Sequence, residues 1–342
     1  MQVDLRHPGV GPLLTTDYYY YLLTYYYYYY YHYILTTYYS QGCGHAAGGG
    51  TGGAGAGAGE RRRAGGAGGA DSESGGGGAA CGCAGGGEGE GGGAGGAAGG
   101  AGERGATRGA GGAAVLAGAI VLGPRLGRYD NGKLVPFASS SIPLATAGTF
   151  ILWFGWFGFN GGSQLAMGTF DDVNAVGTIY INTNLAAAGG VITAAVITRL
   201  WKGKTDVVMM LNGALGGLVA ITAEPLAPTP GLAIMIGAAG GVVVVFGTEL
   251  LNNLKIDDVV GAVPVHLFAG ILGTLVVPLS NGDTNFGAQF LGTASVCVFV
   301  FVVSYIVWTI MNMTIGIRLS DEAQKEGTDI VETGVTAYSI RD

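Results

Sequence analysis

The chain has 342 residues, of which 11% are charged and 49% hydrophobic; its formal net charge is −7 and its mean hydropathy +0.41. A water-soluble domain carries about 25% charged residues, so this composition excludes an ordinary pair of soluble domains and favours one polytopic helical bundle. The charge balance is too mild to call for a nucleic-acid partner, and four scattered cysteines exclude a disulfide framework.

Residues 1–112 are of low complexity. Residues 18–39 are mostly tyrosine, and residues 47–112 are mostly glycine and alanine with scattered Glu and Arg. No strict triplet repeat is present, so the tract is not collagen-like. It holds almost no Leu, Ile, Val or Phe, so it offers little apolar surface to offset the entropy of ordering. Two readings stay open, a disordered tract and a GC-rich frame translated out of register. Cys81-Gly-Cys83 lacks a second ligand pair, and His7, His32 and His45 fall in the same stretch, so neither a metal site nor a cofactor is expected. The first residues show no basic region followed by an apolar core, so no signal peptide is legible.

From Ala113 the character changes, and residues 113–317 read as a membrane domain followed by a tail, 318–342. The stretch 113–123 reads as the last turns of a helix ending at Gly123-Pro124-Arg125. Six full spans are predicted, at about 143–163, 173–200, 207–223, 231–251, 257–279 and 288–316. Each has the length that crosses a hydrocarbon core, about 17–25 residues or somewhat more when tilted. Arg125, Arg128 and Lys133 precede the first span; Arg199, Lys202 and Lys204 follow the second; Lys255 follows the fourth; Arg318 and Lys325 follow the sixth. The intervening loops carry Asp171, Asp172, Glu224 and Asp283 and neither Lys nor Arg. This alternation implies a cell-membrane protein with a cytoplasmic C-terminus.

On the first span, Trp156, Phe159 and Ser163 are spaced three and four apart and share a helix face. An aromatic face attracts a cation, and a hydroxyl accepts a hydrogen bond from an ammonium-like donor; an interfacial aromatic belt gives the same pattern. On the fifth span, Asp257 and Asp258 read as N-terminal caps, and helical rise from Lys255 places His266 about mid-bilayer. An ionisable group at that depth usually marks function. A histidine hydrogen-bonded between helices, a proton relay and a pore-lining donor and acceptor all fit His266.

Several segments, in order, resemble the ammonium transporter family (the Amt, Mep and Rh proteins). They are Val121-Leu-Gly-Pro-Arg-Leu-Gly127, Trp153 to Ser163, Asn182-Thr-Asn-Leu-Ala-Ala-Ala188, Leu211 to Thr222, and Ile256 through His266 to Gly273. The tail Gly316-Ile-Arg-Leu-Ser320, Gly327-Thr-Asp329 and Ala337-Tyr338 is also similar. The resemblance implies an all-α bundle of eleven membrane helices in two inverted five-helix halves, assembled as homotrimers with a narrow hydrophobic pore in each subunit. The spans then match helices six to eleven. Phe159 matches the second of two stacked gate phenylalanines, Ser163 the serine that recruits ammonium outside, with Trp156 beside them. His266 matches the second of two pore histidines. Ammonium would shed its proton near the gate, and ammonia would pass along the histidines in a lipid-embedded protein that is not an enzyme. In prokaryotic relatives the cytoplasmic face binds a PII-type regulator. The family's first half is not recognisable: Arg108 stands in register with the first histidine, and the family's structural aspartate would fall near Gly100. Thr328 and Thr333 replace a usual leucine and histidine in the tail. An ammonium transporter is the leading expectation; a non-conducting fragment and an ammonium sensor are the alternatives.

Overall fold

A computed structural model describes residues 94–137 and 139–336, with side chains from residue 105 onward. The tyrosine-rich stretch, the tract up to residue 93 with its histidines and cysteines, and Ala337-Tyr338 of the tail lie outside the described residues. Among the described residues the architecture is all-α apart from one small hairpin. In order come α1 (Ala94–Leu122), β1 (Tyr129–Asp130), β2 (Lys133–Leu134), α2 (Ile142–Gly162), α3 (Phe170–Lys202), α4 (Val207–Thr222) and α5 (Pro230–Asn253). A π-helical turn (Val263–Phe268) then runs into α6 (Ala269–Val276) and a 3₁₀ turn (Val277–Leu279), followed by α7 (Phe286–Thr314), α8 (Asp321–Glu326) and α9 (Thr328–Thr333). Within the described residues, five segments are long and apolar enough to cross a membrane: Gly105–Leu122, Ile142–Gly162, Phe170–Lys202, Pro230–Asn253 and Phe286–Thr314. Val207–Thr222 and Val263–Leu279 are shorter apolar stretches.

The helix starts depend on the residue just outside each one. Ser141, Thr169, Asp206, Thr229, Asn285 and Ser320 each accept a hydrogen bond from a backbone amide of the first turn of α2, α3, α4, α5, α7 and α8. These amides have no partner within the helix, and a short polar side chain satisfies one of them. Thr169 and Asp172 form a reciprocal capping box. Pro143 and Pro230 occupy first-turn positions, where a missing N–H costs nothing.

Two expectations need correcting. The glycine–alanine tract up to residue 112 is expected to lack the apolar surface to order it, yet its last part, from Ala94, forms the start of α1, the helix whose last turns are residues 113–122. Alanine is the best helix former, and the glycines of this helix trade propensity for close packing. A Cβ on Gly105 would overlap the Thr274 side chain, and one on Gly112 the backbone of Leu267. The second correction concerns the fifth span, which does not begin at Asp257. The chain leaves α5 through Lys255, at φ 59°, and stays irregular through Gly261. Of the two aspartates only Asp258 caps the π turn, accepting from the amides of Gly261 (3.1 Å), Ala262 (3.0 Å) and Val263 (2.7 Å). Asp257 turns away to Arg125 and Arg128.

The centre of the bundle is a three-way crossing of α3, α4 and α5 with backbone nearly touching backbone. A Cβ on Gly190 would overlap the Gly213 carbonyl, one on Gly237 that of Ala186, and one on Gly241 would stand 2.6 Å from the Gly190 oxygen. Small residues at helix crossings let dispersion and close approach stabilise association where lipid removes the hydrophobic drive. Around the crossing, Trp156, Leu215, Leu218, Val219, Val244 and Val265 form one apolar cluster, which ties α2 to the π turn that carries His266.

Candidate functional site

His266 lies on the π turn Val263–Phe268, between buried Val265 and Leu267. A wide turn inside a helix is frequent at functional sites, because it re-aims a side chain that a regular helix would place elsewhere. Since the chain from Lys255 to Gly261 is not helical, helical rise from Lys255 does not set the depth of His266. Packing does. Gly112 meets Leu267, and Gly109 meets Gly270, so His266 stands level with the middle of the apolar stretch Gly105–Leu122 of α1.

Trp156 is buried, at 6% exposure, and its indole Nε1 donates to Thr222 Oγ1 at 2.8 Å. The Thr222 hydroxyl in turn donates to the Leu218 carbonyl at 2.6 Å, so the threonine serves once as donor and once as acceptor. This fixes the indole plane. Thr222→Val is expected to cost about 1–3 kcal/mol, the penalty of leaving a buried donor unmade. The check is a lower thermal midpoint in detergent together with a shifted tryptophan emission; an unchanged midpoint would show that the indole is held by packing alone.

Phe159 sits nearly one helical turn from Trp156, ring centroids 6.4 Å apart and tilted by 56°. Ser163, at the C-cap of α2, donates its hydroxyl to the Phe159 carbonyl at 3.0 Å. The structure thus brings Trp156, Phe159 and Ser163 onto one face, as their spacing predicts, and the apolar cluster that Trp156 shares with Val265 joins that face to the π turn. What the spacing did not predict is the neighbour they share. The guanidinium carbon of Arg108 on α1 stands 4.2 Å from the Trp156 ring centroid and 4.1 Å from that of Phe159, and the residue is only 3% exposed. The pair of aromatic rings therefore faces a cation in this structure.

Buried amides brace the surroundings. Asn160 donates to Thr183 at 2.9 Å, Asn182 to the carbonyls of Pro225 and Pro228 at 3.0 and 2.8 Å, and Asn212 to the Val260 carbonyl at 3.0 Å. The last bond ties α4 to the loop ahead of the π turn. Among the described residues no group of three or more His, Cys, Asp or Glu side chains gathers at metal-binding distance. A groove of about 400 Å³ opens between α2, α3 and α4, lined by Phe150, Trp153, Ile192 and Met210; it is almost wholly apolar and includes none of the four predicted site residues.

Capped apolar helices, packed backbone to backbone through glycine, define a multi-pass membrane protein. Residues 104–338 match the family model described as the Ammonium Transporter Family. The ammonium transporter Amt2 of Archaeoglobus fulgidus is 40% identical over 246 residues, covering 65% of this chain and 51% of that protein. A solved Sensor Amt Protein superposes with a TM-score of 0.63 at 31% identity, covering 67% of this chain and 59% of that one. The Mep2 protein of Candida albicans gives 0.57 at 28%, covering 64% and 52%. The chain belongs to the ammonium transporter family. It spans about half the length of the curated relatives it matches.

Proposed function

We propose that this chain carries ammonium or ammonia across the cell membrane, along a route that begins at Ser163, Phe159 and Trp156 and passes His266. The observation that carries this reading is the pair of aromatic rings that holds a positive charge at 4.1–4.2 Å on the wall leading to His266. Aromatic faces bind a bare cation through their quadrupoles, whereas a charge moving onward through apolar surroundings would be too costly. The ion therefore gives up its proton near the rings, to water at the outer mouth beside Ser163, and neutral ammonia alone goes on. Imidazole suits the next position because one nitrogen donates and the other accepts.

The C-terminus lies in the cytoplasm on this reading. Support comes from the end of the bundle where Arg125 and Arg128 meet Asp257, Lys202 meets Glu249, Lys255 reaches Gly132 and Arg318 donates to the Leu122 carbonyl. The opposite end has Glu224 paired with Asn281, and Gln164 with Asp172. Basic residues collect on the cytoplasmic side. The tail docks there through Leu126 and Gln324 and offers a surface for a PII-type regulator. The exposed apolar faces of α2 and α7, with Phe154 at 79% and Phe299 at 65%, meet lipid or neighbouring subunits of a homotrimer.

A sensor role is the second reading, favoured by the likeness to the Sensor Amt Protein. Uptake of labelled methylammonium by cells without their own ammonium transporters separates the two. Expression of the chain is expected to raise uptake above the empty-vector level, and His266→Ala to return it to that level. Binding without uptake would favour the sensor; undiminished uptake in His266→Ala would remove the histidine from the route.

A further inference from the structure

We infer that Arg108 is an internal plug: its guanidinium takes the place of a substrate cation between Trp156 and Phe159, and ammonium binds there only when that side chain withdraws or is removed. The inference rests on the transport reading above for the identity of the competing ion.

The distances make the guanidinium a full occupant of the aromatic pair. Its central carbon is nearly equidistant from the two ring centroids, at 4.2 and 4.1 Å, well inside the roughly 6 Å reach of a cation–π contact. At 3% exposure it leaves water little access. Tryptophan is the strongest of the aromatic partners, and the Thr222 hydrogen bond holds this one in place. Guanidinium is planar, weakly hydrated and charged at every accessible pH, so it stacks on rings where an ammonium group would stay solvated.

Helix packing fixes where position 108 points. Gly105, Gly109 and Gly112 form the contact face of α1 against Thr274, Gly270 and Leu267. Rotation of α1 would drive Gly109 and Gly112 into the backbone of Gly270 and Leu267, so the 108 side chain is held toward α2. The flexible stem of arginine is the part left to move. A second cation arriving at the rings would meet both an occupied surface and a like charge in a medium that screens poorly. Competition between the two is therefore direct, and a small ion without aromatic stacking is the weaker competitor.

The test uses the full chain, purified in detergent and reconstituted in liposomes, as wild type, Arg108→Ala and the near-isosteric neutral Arg108→Gln. Methylammonium chloride is titrated while tryptophan emission is read. Either variant is expected to respond to methylammonium at concentrations at least tenfold lower than wild type does. Low millimolar guanidinium chloride should compete for the vacated place in the variants and leave wild type unaffected. Adding Trp156→Leu to Arg108→Ala should abolish the response. In liposomes, methylammonium uptake should rise at least tenfold over wild type, and guanidinium should suppress the gain. Equal responses in wild type and variants, or a variant response that guanidinium does not compete, would overturn the plug. Guanidinium-sensitive binding without uptake in the variants would uphold it and remove the transport reading instead. Arg108→Gln supplies every readout if Arg108→Ala does not fold.

Discussion

Asp257→Ala is expected to destabilise the protein by about 3–5 kcal/mol, the usual consequence of removing one partner from a buried ion pair. The carboxylate is 1% exposed. It accepts from Arg125 three times, through Nε at 2.8 Å, Nη2 at 2.9 Å and the backbone amide at 3.0 Å, and it lies 3.3 Å from Arg128 Nε. Both guanidinium carbons also lie over the Phe137 ring, 5.1 and 5.6 Å from its centroid. Without Asp257, two like charges face each other beneath one ring, and the loop that leads to the π turn loses its tie to the end of α1. A loss of this size lowers the thermal midpoint by roughly 10 °C for a protein of this length. The pH dependence has a definite sign. Burial opposes ionisation of Asp257, but the Arg125 hydrogen bonds and charge, with Arg128 behind them, outweigh it and hold the carboxyl below its ordinary 3.8. A group with a lowered folded-state pKa stabilises at neutral pH, and that contribution fades as the pH falls from about 4 through the folded value. Asp257→Asn should remove that acid-side loss along with the stability. Thermal unfolding in detergent between pH 3 and 7 checks both points; an unchanged midpoint at pH 7 would show the cluster to be ornamental.

The same cluster shows what the sequence made legible. Helix ends were readable because they depend on neighbours in the chain. Ser141, Thr169, Asp206, Thr229 and Asn285 stand immediately before apolar runs, and α2, α3, α4, α5 and α7 begin within a few residues of the predicted positions. The two aspartates before the π turn looked alike for the same reason. Local grammar makes each a cap, and only a partner 132 positions away turns Asp257 into an ion-pair residue. The start of α1 was hidden differently. Burial there runs through glycine backbone against Leu267 and Gly270 rather than through large side chains, so the tract shows no apolar stripe.

The candidate site divides along the same line. Trp156, Phe159 and Ser163 share a face because three and four residues return a helix to the same side, and that was visible in their numbers. The closeness of Arg108 to them was not. The resemblance puts Arg108 in register with an expected histidine, yet its place between two tilted rings needs the crossing of α1 and α2 to be known. The π turn likewise escaped notice, because its start depends on Asp258 gathering three amides across a loop whose Gly261 adopts φ 76°.

Gly237→Val is expected to prevent assembly of the bundle. A Cβ at this position would overlap the carbonyl and Cα of Ala186 on α3, and these are backbone atoms with no rotamer to yield. Overpacking a side-chain core typically costs about 1–3 kcal/mol because neighbours shift; here the two helices must separate. Separation would not stay local. Gly190 on α3 already meets Gly213 of α4 and Gly241 of α5, so moving α3 from α5 opens both remaining contacts of the three-way crossing. The apolar cluster that joins Trp156 to Val265 would open with it, and the aromatic pair would lose its relation to His266. Gly177→Ala on α3 is the matched control, since nothing lies within 4 Å of a Cβ there and alanine favours a helix by about 1 kcal/mol. Gly177→Ala should express and elute as wild type does on gel filtration, whereas Gly237→Val should aggregate or fail to accumulate in the membrane. A monodisperse Gly237→Val protein with a wild-type thermal midpoint would show that the glycine crossing is not what holds α3, α4 and α5 together.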